Sequence, residues 1–349
     1  MAAEGTVRLD IAAVWSAAGA GPAELGKRVG RDAPAPRPDP CAGPGRGAGS
    51  PPVLSAPELD GLGYEARVER MVRSMAPTLE ACAEQAGVDG VVALPPAPHA
   101  PGRAQGAGDR WRDRLARALP ALGQASWYLP GSAEAPVALL AGARDAVAEG
   151  RHRAVLVLGV DACAAVSAWA DPALMAVTGT HPAVRAPADA AGGVLLRPVA
   201  DAAPGPGPGL CVERCASAEA GDAESWQSVL RTVAEDAGGD WDETVRYLGA
   251  GAEEARCWAD VRRGCDRLRR APEPDGVLAW RTVGHPGGAA LPLLLALCAG
   301  RLVQAPQSER LLLVAGGARQ PGAGAVLLRR HRGSSPHARR EAPRTGGAP

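Results

Sequence analysis

The chain contains no phenylalanine and no asparagine, and Lys27 and Ile11 are the only residues of their types. The missing types share AT-rich codons, so a GC-rich genome accounts for the bias, and alanine and arginine at a given position carry little functional weight. One consequence is firm: no asparagine side chain can act in catalysis. Charge is not in excess in either direction, because 38 basic and 38 acidic residues cancel. That excludes a general nucleic-acid binder, which needs surplus positive charge to displace counterions. The eight cysteines include no Cys-x2-Cys pair, the spacing of a zinc site, so no metal is expected and they read as isolated reduced thiols. The N-terminal MAAEGTVRLDIAAVW has neither the basic region nor the apolar run of a signal peptide. Leu291 to Leu297 is far shorter than the ~20 apolar residues that span a bilayer. These absences lead us to expect a cytoplasmic protein with no membrane or nucleic-acid partner.

What remains is a chain of 349 residues, 46% of them apolar, long enough for one large or two small domains. Proline and glycine crowd 31–57, which cannot hold a regular helix, and 201–209 (DAAPGPGPG) reads as a central linker. The polar stretch 333–349 reads as a disordered tail. Between them, Val68, Met71, Val72, Met75 and Leu79 fall at helical spacing within 66–86, with Gly87 as the stop. Further helices are expected at 111–119, 133–148, 225–237 and 252–269. Buried strands are expected at 90–94, 126–129, 154–159 (AVLVLG) and 192–197. This alternation implies a largely parallel sheet with helices on its faces.

The chemistry concentrates near the C-terminus. The block VLAWRTVGHPGGAALPLLLALCAGRL runs from an apolar strand through Gly284-His285-Pro286-Gly287-Gly288 into a small-residue helix. ERLLLVAGGARQPGAGAVLLRR then forms two strands joined by a hairpin containing Gly316 and Gly317. Glycines between a strand and a helix let backbones approach closely and leave N–H groups facing a ligand. A second block holds GARDAVAEGRHRAVLVLGVDACAAVSAWADPALMAV followed by ADAAGGVLLRP.

Together, in this order, the two blocks resemble β-ketoacyl carrier-protein synthase III, over roughly residues 66–330. Gly150, the strand 155–159, Asp161, Trp169, Asp171 and Gly192-Gly193-Val194 match that family's order. The resemblance implies a thiolase-like α/β fold: two duplicated halves forming a five-layered sandwich, an N-terminal half over 1–200 (with the 31–57 insertion) and a C-terminal half over 210–332. No repeat is visible at residue level, so the duplication comes from the resemblance. The family's Cys-His-Asn set is absent. Its nucleophilic cysteine would fall in Leu129-Pro-Gly-Ser132-Ala133-Glu134-Ala135; ungapped counting places Ala133 there and a one-residue slip places Ser132. No histidine occurs between His181 and His285, so Tyr247 to Gly251 or Glu253-Glu254 stands where the family's histidine loop would lie. His285 occupies the position of the family's asparagine.

Two readings follow from the resemblance. In one, closest to the serine-bearing relatives that choose starter units in actinomycete type II polyketide assembly and hence in antibiotic biosynthesis, Ser132 accepts an acetyl or propionyl group from acyl-coenzyme A. His285 is its base and Asp161 or Glu134 an orienting acid. Gly287, Gly288, Gly316, Gly317 and Arg112 would contact the coenzyme A ester, which is a substrate, so no cofactor is expected. In the other reading the chain is a catalytically silent subunit that sets the specificity of a partner ketosynthase. Either implies a homodimer or heterodimer and an acyl carrier protein as partner. The plainer alternatives are a helix cap for Ser132, a backbone-satisfied turn residue for His285 and a solvated helix face for Arg110 to Arg114. His99, His152, His331 and His337 lie in loops or the tail, and His181 in a loop that could approach the site. Gly43 to Gly49 lacks the strand–helix context of a phosphate loop.

Overall fold

A computed structural model describes residues 6–17, 19–21, 24–25, 55–94, 96, 107–129, 135–164, 188–199, 209–220, 222–236, 245–249, 259–264, 284, 286–304, 310–316 and 322–331. The strands are β1 (Val7–Ser16), β2 (Gly19–Ala20), β3 (Gly90–Ala93), β4 (Ser126–Tyr128), β5 (Val155–Ala162), β6 (Asp189–Pro198), β7 (Leu210–Ala218), β8 (Val245–Gly249), β9 (Arg310–Gly316) and β10 (Ala323–Arg330). The main helices are α1 (Tyr64–Ala86), α2 (Ala107–Ala118), α3 (Pro136–Ala148), α4 (Ala223–Asp236) and α5 (Ala290–Gln304).

The strands join in the order β4-β3-β5-β6-β1-β7-β10-β9-β8, with β2 pairing β1. The middle of this order is a pseudo-symmetry point. On one side the half's first strand, β1, lies beside its last, β6, followed by β5, β3 and β4; on the other, β7 lies beside β10, followed by β9 and β8. In each half the last strand is antiparallel to its neighbours, β6 against β1 and β5 and β10 against β7 and β9, and the short β2 is also antiparallel to β1. The pairs β3–β5, β3–β4 and β8–β9 are parallel. The described strands of the second half therefore repeat the topology of the first, though not its sequence. The strand expected at 277–283 lies outside the described residues. The sheets are fused by two residue pairs, Arg8 with Cys211 and Leu9 with Leu210.

Strand alternation sends side chains to opposite faces and so builds layers. In β5, Leu156, Leu158 and Val160 join one core with α1 and α2, while Val155 and Val157 face a second core with α3 and α5. In β10, Val326 and Leu328 reach that same central core, and Ala325 and Leu327 face a third with α4. The stack is thus α1/α2, sheet, α3/α5, sheet, α4: five layers. From Ala290 to Gly300 α5 is buried all round, as that small and apolar run requires of a helix between two sheets. No described helix is long and apolar enough to cross a membrane.

Several expectations shift. The helix expected from 133 begins instead at Pro136, with Ala135 extended at ψ 135°. Proline disfavours the helical conformation in the residue before it and suits the first helical position. Tyr247 to Gly249, expected within a remnant loop, lies in β8. Only 259–264 of the helix expected at 252–269 is among the described residues. β1 and β7 were not anticipated.

Candidate functional site

α3 runs back along β5, because only a short turn around Gly150 joins them. The N-terminus of α3 therefore lies at the C-terminal end of β5. α5 stands in the same relation to β9, so its N-terminus lies near Gly316, which pairs with Ala323 at the start of β10. These ends meet. A Cβ placed on Gly322 would collide with the carbonyl oxygen of Ala218 and lie 3.1 Å from the Ala135 Cβ, so the closing hairpin seats against the N-cap of α3. Gly322 has φ +81°, a left-handed conformation that only glycine adopts cheaply. Ala135, the N-cap residue of α3, supplies no side-chain cap.

The turn Gly287–Ala289, which opens α5, sits on the end of β5. A Cβ on Gly159 would fall 2.5 Å from the Gly288 carbonyl oxygen and 3.1 Å from the Ala289 Cα. A Cβ on Gly287 would overlap the Asp161 carboxylate and come 2.5 Å from Cys163 Sγ. Asp161 is fully buried. Its Oδ2 accepts the Gly288 N–H at 2.8 Å, and its Oδ1 accepts the Tyr64 hydroxyl, from the first turn of α1, at 3.1 Å. Burial first, then the charge of Asp161, pushes the Tyr64 phenol well above its ordinary value, so it stays protonated as the donor.

Asp189, opposite Ala162 in the β5–β6 register, forms a second buried node. Arg67 Nη1 and Ser55 Oγ both donate to its Oδ2 at 2.6 Å, and the Ala164 N–H donates to Oδ1 at 3.0 Å. Both charged side chains are fully buried. Burial raises the Asp189 carboxyl above its ordinary value despite Arg67, Ser55 and the Ala164 N–H.

Of the residues singled out from sequence, Gly287 and Gly288 are brought onto Asp161, and Gly316 into the hairpin beside the α3 N-terminus. Ser132, Ala133, Glu134, His285 and Gly317 lie outside the described residues, although Ala135, Gly284 and Pro286 beside them are described. Arg112 is on α2 in the outer layer, where its guanidinium pairs with Asp113 at 2.9 Å. No group of three or more His, Cys, Asp or Glu side chains suited to a metal ion occurs among the described residues. Tyr64, Arg67, Cys163 and Asp189 had no assigned role in the sequence analysis. Arg67 could have been found, since it falls on the same helical stripe as Val68 and Met71.

Among the described cysteines Cys163 reaches this cluster, and it is unsuited to replace the missing nucleophile. Burial, then the nearby Asp161 and Asp189 charges, pushes its thiol well above the ordinary value, and a thiol is not an effective nucleophile until ionised. Cys163 is expected to resist iodoacetamide in the folded protein and to react once it is unfolded in urea, as read by peptide mass spectrometry. Rapid native alkylation would show that the thiol is exposed and ionisable.

Strand order, duplication and the five layers define the thiolase-like fold. No protein-family model and no curated protein matches the sequence. Solved structures match nearly all of it. The chain is similar to the ishigamide ketosynthase/chain length factor, with 16% identity, TM-score 0.61, and coverage of 93% of this chain and 99% of that one. It is also similar to the ketosynthase from module 6 of the bacillaene synthase of Bacillus subtilis 168, with 12% identity, TM-score 0.63, and coverage of 95% and 73%. A third match is a type II polyketide synthase structure of an acyl-carrier protein in complex with its ketosynthase, with 9% identity, TM-score 0.57, and coverage of 93% and 100%. At these identities the likeness is one of fold.

Proposed function

We propose that this chain is an acyltransferase of the ketosynthase III type that primes polyketide or fatty-acid assembly, with Ser132 as nucleophile and His285 as base. The observation that carries this reading is that the Gly287–Gly288 turn is seated on Asp161 and Gly159 of β5, as the Gly322 hairpin is seated on Ala135 at the start of α3. The two residues proposed for the chemistry are close in sequence to Ala135 and Gly287.

In the reaction, Ser132 Oγ attacks the thioester carbonyl of an acetyl- or propionyl-coenzyme A while the His285 imidazole takes its proton. The tetrahedral oxyanion is met by backbone N–H groups, around Ala133 or in the Gly316–Gly317 hairpin. Collapse expels the coenzyme A thiolate, which takes the proton back from the imidazolium and leaves an acyl-serine ester. Attack by a carrier-protein or ketosynthase thiol completes the transfer. A helix N-terminus contributes about 0.3–1 kcal/mol, and a pKa unit is 1.36 kcal/mol, so it cannot ionise a hydroxyl. The start of α3 at Pro136, three residues past Ala133, weakens that aid further. The base is therefore indispensable. The partners on this reading are a carrier protein and a ketosynthase, as in the solved carrier-protein complex.

Intact-protein mass spectrometry after incubation with acetyl-, propionyl- and malonyl-coenzyme A tests this. An acyl adduct is expected on the wild type and none on Ser132→Ala; an adduct of equal yield on the variant removes Ser132 from the mechanism. The sequence also favours a second reading, a silent subunit that shapes a partner ketosynthase, because 129–135 holds no cysteine and the chain no asparagine. Absence of any adduct, with co-purification of a ketosynthase, would favour that reading.

A further inference from the structure

We infer that Asp161 is a positioning residue that acts on the site through the backbone of the Gly287–Gly288 turn, with Tyr64 holding its carboxylate in place. The inference deepens the acyl-transfer reading and rests on it for its effect on rate, though the clamp itself does not.

Two elements distant in sequence converge on one carboxylate. Oδ2 takes the Gly288 N–H and Oδ1 takes the Tyr64 hydroxyl. Cys163 Sγ lies beside the carboxylate, and both face the Gly287 Cα. The space that a side chain at Gly287 would need is filled by the carboxylate itself, so glycine at 287 and aspartate at 161 fit as a pair. Gly287 is held at φ +51°, and the N–H it precedes points into the carboxylate rather than along the helix. Behind the turn, Gly159 lets β5 touch the Gly288 carbonyl. The turn is therefore gripped from both peptide groups of Gly288: its N–H by Asp161 and its C=O by close packing on β5. Such a grip suits the loop between Gly284 and the start of α5, where misplacement by about 1 Å costs on the order of 100-fold in rate.

The test uses Asp161→Ala, Asp161→Asn and Tyr64→Phe in the full chain. Hydrogen exchange of peptides covering 284–290 is measured without substrate, and acylation by propionyl-coenzyme A gives a maximal rate and a half-saturating concentration. For Asp161→Ala, faster exchange in 284–290 is expected, with a maximal rate about 100-fold lower at an unchanged half-saturating concentration. Asp161→Asn keeps an acceptor for the Gly288 N–H and is expected to restore both to within a few-fold of wild type. Tyr64→Phe, which removes one hydroxyl and leaves the fold intact, is expected to speed exchange and slow acylation several-fold. Asn as damaging as Ala would overturn the inference, because it would point to charge or fold rather than to the hydrogen bond. Unchanged exchange in Tyr64→Phe would overturn it too, and decides the matter if the alanine variant does not fold. A wild type that takes no acyl group removes the acyl-transfer reading, and the exchange results then judge the clamp alone.

Discussion

Arg67→Ala is expected to destabilise the protein by about 3–5 kcal/mol, the range for removing one partner of a buried ion pair. Arg67 and Asp189 are both fully buried, and the guanidinium also donates to Ser55 Oγ at 3.1 Å and, through Nε, to the Leu62 carbonyl at 2.8 Å. Truncation strands a carboxylate whose remaining donors are a hydroxyl and an amide. Urea unfolding followed by circular dichroism measures the loss. The double variant Arg67→Met, Asp189→Leu is expected to recover most of it, because replacing a whole buried pair by apolar side chains of similar volume is often neutral. A single-variant loss below ~1 kcal/mol would mean that water reaches the pair, since exposed ion pairs are worth about that or less.

Gly159→Ala is the second large effect. The added methyl meets backbone atoms of Gly288 and Ala289, which cannot rotate away as a side chain would. Overpacking of this kind costs about 1–3 kcal/mol. The larger consequence is functional: the turn must lift off β5, and acylation is expected to fall about 100-fold by displacement of the site. Gly142→Ala is the control. Nothing lies within 4 Å of a Cβ there, and alanine in α3 should gain up to ~1 kcal/mol of helix propensity. Acylation kinetics and thermal melts of the two variants check this; a fully active Gly159→Ala would mean that the turn can shift without loss.

The sequence revealed elements whose burial is written locally. β5 reads as VLVLG, and α1 places Val68, Met71, Val72, Met75 and Leu79 on one buried stripe, ended by Gly87 in the left-handed conformation. β1 and β7 escaped for a shared reason: charges interrupt each. In β1, Arg8 pairs with Asp10, and Asp10 with Arg197 on β6. In β7, Glu213 pairs with Arg310 on β9 and Arg329 on β10. Those charges look like surface until their partners, far away in sequence, are placed beside them. The site divides the same way. The glycine turn and hairpin were legible through resemblance and through the meaning of glycine at a strand–helix junction, and Asp161 was named as an acid without a place. Tyr64, Arg67 and Asp189 become neighbours of that turn only when α1 is laid across the ends of β5 and β6.

The place of β1 at the middle of the fused sheet has a consequence for synthesis. Its residue Val7 pairs with Pro198, and Leu9 with Leu210, so the strand finds these neighbours roughly 190–200 residues later. At 5–20 residues per second the ribosome takes about 10–40 s to supply them. Until then β1 waits on the nascent chain with only the short β2 beside it, and the half that ends in β6 cannot close around its first strand. Long-range pairing of this kind slows folding, because the loop must close before the contact gives any return. The step that joins the two halves is also the one that pairs the second edge of β1.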